Sequence, residues 1–273
     1  MKKSFVLSLM LMAVLAINAQ DPNFYIYLCF GQSNMEGNAR IQPQDKENID
    51  PRFQTYQVVD CGENKAGQWR TAVPPLVRCN TGLTPVDYFG RTLVSALPKE
   101  IKVGVVVVAV GGCSIDLFDK DKYQEYIPKQ AGWMQNMIKE YGGDAYKAFI
   151  DAAKAAQKDG VIKGILLHQG ETNTADPQWP LNVRKVYNDI LEQLNLEPNS
   201  IPLYAGEVVA ADQKGQCAAH NGTVRALPSV IPMARVIPAY GCECGFDHLH
   251  FSAKGYRELG RRYGAAALSD LGY

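Results

Sequence analysis

Between Phe24 and Phe30 apolar, aromatic and β-branched residues follow one another almost without a break, and Val103–Val110 and Gly164–His168 repeat the pattern. Runs of that length, with no polar alternation, suit strands buried on both faces of a parallel sheet. Between them the period changes. Val86–Leu97, the Ala-rich stretch Ala145–Lys158 that stops at Gly160, and Leu181–Leu194 place apolar residues at helical spacing. Ile201–Val209 and Ala234–Pro238 read as further strands, and Ser252–Leu271 as a closing helix with Ser252 at its N-cap. Strands alternating with helices predict a three-layer α/β domain with a mainly parallel sheet. No internal repeat or low-complexity linker divides the chain, so residues 21–273 are expected to form one domain.

One segment breaks the alternation. Ala39–Pro85 is long, rich in Pro, Gly and charge, and has a single strand-like piece at Tyr56–Val59. A connection of that length in a compact domain is usually functional, and this one is expected to form a wall of a binding site. The first twenty residues read as a secretory signal: Lys2 and Lys3, then the apolar run Phe5–Ile17, then the small residue Ala19 before Gln20 or Asp21. The apolar run is shorter than the roughly 20 residues a membrane span needs, and no Cys at the cleavage point offers a lipid anchor. Export to a periplasm or the outside follows as an expectation, with no stable membrane insertion after cleavage. Seven Cys suit an oxidising compartment. Cys61 is expected to bridge to Cys79, and Cys217 to Cys242 or Cys244, leaving at least one thiol over. Zinc is disfavoured, because Cys242-x-Cys244 lacks paired CxxC spacing. Lys+Arg and Asp+Glu both total 28, so no net field exists to recruit nucleic acid or an anionic membrane. The sequon at Asn221 matters only in a eukaryotic secretory pathway.

In open α/β sheets ligands bind at the carboxyl ends of the strands. Gly31-Gln32-Ser33-Asn34-Met35-Glu36-Gly37, Gly111-Gly112-Cys113-Ser114 and His168-Gln169-Gly170-Glu171-Thr172-Asn173 follow three of the apolar runs, and Asp247-His248-Leu249-His250 precedes the last helix. These parts suffice for acyl transfer. A serine hydroxyl needs a base to take its proton; Ser33 and His250 are the candidates. A carboxylate must orient the imidazole and stabilise its protonated form; Asp247, three residues before His250, would share its face in one helical turn. An oxyanion needs aimed donors, and the backbone N–H groups of Ser33 and Gly112 with the Gln169 amide are expected to supply them. Asn34 and Glu171 are candidates for touching substrate or bracing the loops. His168 reads as structural and His220 as solvated. Trp69, Trp133 and Trp179 lie in or near loops, where aromatic rings can stack on sugar faces, but core packing or loop pinning explains each of them as well.

The four blocks, in this order from Gly31 to His250, resemble the SGNH hydrolases, and most of all the branch holding sialate O-acetylesterases and the acetylxylan esterases of carbohydrate esterase family 6. The resemblance implies a flavodoxin-like α/β/α fold, a serine nucleophile, a DxxH pair completing the triad, no cofactor, and an acetylated carbohydrate as substrate. Gln169 stands where many members of the wider superfamily carry Asn, as it does in the carbohydrate branch. The competing expectations are an esterase or thioesterase for another small acyl group, a carbohydrate-binding protein without catalysis, and a metal-dependent hydrolase built on Asp247, His248 and His250.

Overall fold

The middle strand of the sheet is β1 (Asp21–Gly31), near-continuously apolar because it has a parallel neighbour on each side. The computed structural model describes residues 20–273, so the predicted signal, apart from Gln20, lies outside the described residues. The chain continues through α1 (Ser33–Glu36), β2 (Phe53–Tyr56), β3 (Trp69–Thr71), α2 (Pro85–Ala96) and β4 (Lys102–Ala109). Next come α3 (Tyr123–Tyr126), α4 (Gly132–Glu140), α5 (Ala145–Gln157), β5 (Gly160–His168) and α6 (Trp179–Gln193). It ends with β6 (Leu203–Gly206), α7 (Asn221–Arg225), β7 (Ala234–Ile237) and α8 (Ala253–Leu271). The seven strands lie in the order β3-β2-β4-β1-β5-β6-β7, all parallel except β3.

Alternate residues of the central strands feed two cores. Phe24, Ile26, Leu28 and Phe30 of β1, with Val106 and Val108 of β4, meet Phe149 and Ile150 of α5 and Val183 and Val186 of α6. Tyr27, Cys29, Val105 and Val107 point the other way, onto Phe89 and Leu93 of α2 and Tyr256, Leu259 and Tyr263 of α8. Helices α2 and α8 touch closely because α8 carries Gly260 and Gly264: a Cβ at Gly260 would lie 2.3 Å from the Pro85 carbonyl oxygen. Ser252 caps α8 as expected, accepting from the N–H of Gly255.

Register places the site. Gly31 of β1 lies abreast of Ala109 on β4 and His168 on β5, so the three motif loops leave the sheet at one level. The chain also crosses from one side of β1 to the other between β4 and β5, the topological switch at which open sheets bind ligands.

The structure departs from expectation in several places. The strand predicted at Tyr56–Val59 lies at Phe53–Tyr56 and has an antiparallel partner in β3, so the long segment widens the sheet as well as walling it. The strand predicted over Ile201–Val209 is only Leu203–Gly206, because Val208 is held through its N–H and C=O by the side chain of Asn221. That pairing buries Asn221 and withdraws the sequon from solvent. Cys61 and Cys79 are bridged, but Cys217, Cys242 and Cys244 are free thiols. Cys242 is buried, Cys217 Sγ faces the Glu171 carbonyl, and Cys244 Sγ faces the Gln213 carbonyl, each in its own surroundings. No described helix is long and apolar enough to cross a membrane.

Candidate active site

Ser33 opens α1 immediately after β1. Its Oγ lies 2.9 Å from His250 Nε2, and His250 Nδ1 lies 2.7 Å from Asp247 Oδ2. The Asp247–His250 segment is a turn, not the helical turn the spacing suggested. Asp247 Oδ1 accepts from the N–H groups of Leu249 and His250, both at 3.0 Å, and His248 takes a left-handed conformation at φ 52°. One carboxylate thereby shapes its own loop and holds the imidazole. Burial pushes the Asp247 carboxyl up, but the N–H and imidazole of His250 and the N–H of Leu249 outweigh it and hold the group below its ordinary value. The same contacts that orient the imidazole thus favour the carboxylate form of Asp247. His248 turns away: its Nδ1 is 2.9 Å from the Gln213 carbonyl oxygen, and it does not converge with Asp247 and His250 on a common point.

Asn34 is fully buried and ties the first loop to the last. Its Nδ2 donates to Glu171 Oε1 and, at 3.0 Å, to the Leu249 carbonyl; its Oδ1 accepts from the Phe251 N–H at 3.2 Å and the Tyr256 hydroxyl at 2.7 Å. The partners at 249 and 251 flank His250 on both sides. Glu171 thus braces the site through the Asn34 side-chain amide. Burial pushes its carboxyl up, against the opposing effect of the Asn34 amide, and its Oε2 has no partner although buried.

Ser33, Gly112, Trp133, Glu171, Cys217 and His250 line a cavity of about 360 Å³. The backbone N–H groups of Ser33 and Gly112 donate to no protein acceptor among the described residues. Gly112 is at φ 72°, where a side chain would be strained. Gln169 is not where the sequence put it. It is buried, its Nε2 faces Gln32 Oε1, the Cys113 carbonyl and Asn173 Oδ1, and its Oε1 accepts from the Trp179 indole. With its donors spent on neighbouring loops it braces them and does not line the cavity. Gln32 is the residue sequence reasoning passed over: its Oε1 accepts from Gln169 Nε2 and the N–H groups of Gly170 and Thr172. Its place beside Ser33 in the first block was the available signal.

A second unforeseen group is the Glu36–Arg78–Glu140 bridge. Arg78 pairs with Glu36 through one nitrogen and with Glu140 at 2.5 Å through another, and Glu36 also accepts from the Gly111 N–H at 3.3 Å. Burial pushes the Glu36 carboxyl up, against the attraction of Arg78. The histidines outside the site are structural. His168 is buried with Nδ1 3.2 Å from the Tyr263 oxygen, and burial pushes its pKa down to about 3. His220, expected to be solvated, is instead buried edge-on against Trp179 at 4.7 Å. The acidic cluster Asp119, Asp121 and Asp189 surrounds an internal cation, Lys185 Nζ, at 2.6–2.8 Å.

The sequence profile of the carbohydrate esterases described as sialic acid-specific acetylesterases matches residues 23–269. The chain belongs to this family. The esterase has the fold of several solved proteins. One from Arabidopsis thaliana superposes with a TM-score of 0.69 at 19% identity, covering 92% of this chain and 99% of that one. NanS superposes at 0.61 with 14% identity, covering 92% and 98%. A carbohydrate acetylesterase from Xanthomonas citri superposes at 0.59 with 17% identity; the match covers 89% of this chain but 55% of that longer one. The expected three-layer α/β architecture and the family resemblance both stand.

Proposed function

We propose that the esterase is serine-dependent and removes O-acetyl groups from an acidic sugar. The observation that carries the mechanism is the unbroken relay from Ser33 Oγ through the His250 ring to Asp247. His250 Nε2 takes the Ser33 proton as Oγ attacks the acetyl carbonyl, while Asp247 fixes the tautomer and stabilises the imidazolium. The free N–H groups of Ser33 and Gly112 receive the oxyanion. The tetrahedral adduct collapses to an acetyl-enzyme as His250 returns the proton to the departing sugar oxygen. Water, activated by the same imidazole, then releases acetate. No cofactor enters this scheme.

The choice of sugar rests on Arg40. A second cavity of about 600 Å³ adjoins the first, shares Glu36, Asn38 and Met137 with it, and is lined by Arg40. Arg40 is exposed and pairs with no carboxylate among the described residues. A free guanidinium on a cavity that adjoins the catalytic one suits the carboxylate of a sialic acid better than neutral xylan. The N-terminal signal pattern supports export.

The test is acetate release by residues 21–273 from 4-nitrophenyl acetate, O-acetylated sialic acid and acetylated xylan. Ser33→Ala and a chelator-treated sample run alongside. Ser33→Ala should lose on the order of a thousandfold or more in rate, with the chelated sample unaffected. Unchanged activity in Ser33→Ala would overturn the mechanism. Release from no ester would favour the carbohydrate-binding alternative, and preference for xylan would overturn the acidic-sugar reading.

A further inference from the structure

The three tryptophans have different surroundings. Trp69 packs 4.7 Å from Phe24 and 5.2 Å from Tyr56, and its indole N–H donates to Asp159 at 2.9 Å. Trp179 is fully buried, stacked edge-on with His220, and donates to Gln169. Trp133 has neither kind of partner: among the described residues no aromatic ring packs against it and no acceptor meets its N–H. It is 54% exposed and, among the described residues, the only large exposed apolar side chain that also lines the Ser33–His250 cavity.

Its position is fixed from below. Trp133 is the second residue of α4, which anchors itself through the buried Met134 and Ile138. Its indole overhangs Gly112, since a Cβ placed there would lie 2.7 Å from Trp133 Cη2. Met137, one turn further along α4, also lines the cavity, and Glu140 ties the helix end to Arg78. A large ring left in water on a braced helix, over the edge of a polar cavity, is the arrangement expected of a binding surface.

We infer that Trp133 is the stacking platform for the sugar ring that carries the ester, with Met137 extending the apolar surface. The inference rests on the esterase reading above. The acetyl group is small enough to occupy the cavity floor near Gly112, leaving the sugar ring at the mouth, where the indole stands. A pyranose face is rich in C–H groups and complements the electron-rich indole face. Removing the platform weakens sugar binding without touching the relay.

The experiment compares wild type, Trp133→Ala and Trp133→Tyr on ethyl acetate, which has no ring to stack, and on O-acetylated sialic acid and acetylated xylo-oligosaccharide. Trp133→Ala should lower kcat/KM on its sugar substrate by about tenfold or more, chiefly through KM, while ethyl acetate changes by less than about threefold. Trp133→Tyr should restore most of the loss. Equal losses on ethyl acetate and sugar, or no loss on sugar, would overturn the inference. A separate readout titrates Ser33→Ala with the acetylated sugars and follows tryptophan fluorescence. The response should disappear in Ser33→Ala/Trp133→Tyr, and a response that persists would overturn the platform. Because this titration needs no turnover, it decides the role of Trp133 even if the wild type hydrolyses nothing and the esterase reading fails.

Discussion

Replacing Asn34 should damage catalysis more than its distance from the chemistry suggests. The Asn34→Ala change removes four hydrogen bonds at once, to Glu171, Leu249, Phe251 and Tyr256. A typical intramolecular bond contributes about 1 kcal/mol net, and a buried group left unpaired costs about 1–3 kcal/mol. Glu171 and Leu249 line the cavity, where water can replace the lost amide. Phe251 and Tyr256 are buried and cannot be reached so easily. The expected loss of stability is therefore about 2–3 kcal/mol, short of the sum of all four bonds. The functional loss follows from position: residues 249 and 251 hold the backbone on either side of His250, and a displacement near 1 Å can cost about a hundredfold in rate. Urea unfolding measures the first quantity, and kcat/KM on 4-nitrophenyl acetate the second. Asn34→Asp provides a sharper control. It keeps the acceptor for Phe251 and Tyr256 but sets a carboxylate against Glu171 and the Leu249 carbonyl. Its rate relative to wild type should rise as pH falls from 8 to 6 and the two carboxyls come to share a proton. Asn34→Ala, folded, with kcat/KM within about threefold of wild type would refute the reasoning.

Gly112→Ala forces a side chain onto a left-handed backbone and against Trp133; loss of the aimed N–H should lower kcat on 4-nitrophenyl acetate by about a hundredfold with little change in KM. His168 is neutral in the fold to about pH 3 but takes a proton in the unfolded chain below its ordinary 6.5, so stability is full above that value and falls as pH drops beneath it. Between pH 7 and 4.5 this should cost about 2.5 kcal/mol in urea unfolding, and His168→Asn should flatten the slope; equal slopes would remove the assignment. Cys61→Ser/Cys79→Ser should lower stability by about 3 kcal/mol, the loop-closure entropy of an 18-residue separation, measured by chemical denaturation.

The central strands and the catalytic candidates were legible because both leave local signatures. Val103–Val110 cannot be anything but buried, and Ser33, Asp247 and His250 stand in short blocks whose chemistry is interpretable one block at a time. What escaped depends on partners distant in sequence. Gln169 could have faced the cavity or the loops; Gln32, Cys113 and Asn173 decide it, and no periodicity reports a side chain's hydrogen-bond partners. Trp133 and Trp179 look alike as letters, and only the helix start at Gly132 exposes one while the core encloses the other. The three thiols failed to pair for the same reason: proximity in sequence of Cys242 and Cys244 says nothing about where their sulfurs point.

The Glu36–Arg78–Glu140 bridge has a consequence for how substrates are chosen. Arg78 sits one residue from the bridged Cys79, so the disulfide-held wall, the helix bearing Ser33 and the helix bearing Trp133 are fastened to one another at a single buried guanidinium. Such a mouth does not fold over its guest. It selects by a shape set before the encounter, and transplanting the wall into a relative to change its preference would have to carry Arg78 and both its acidic partners as one piece.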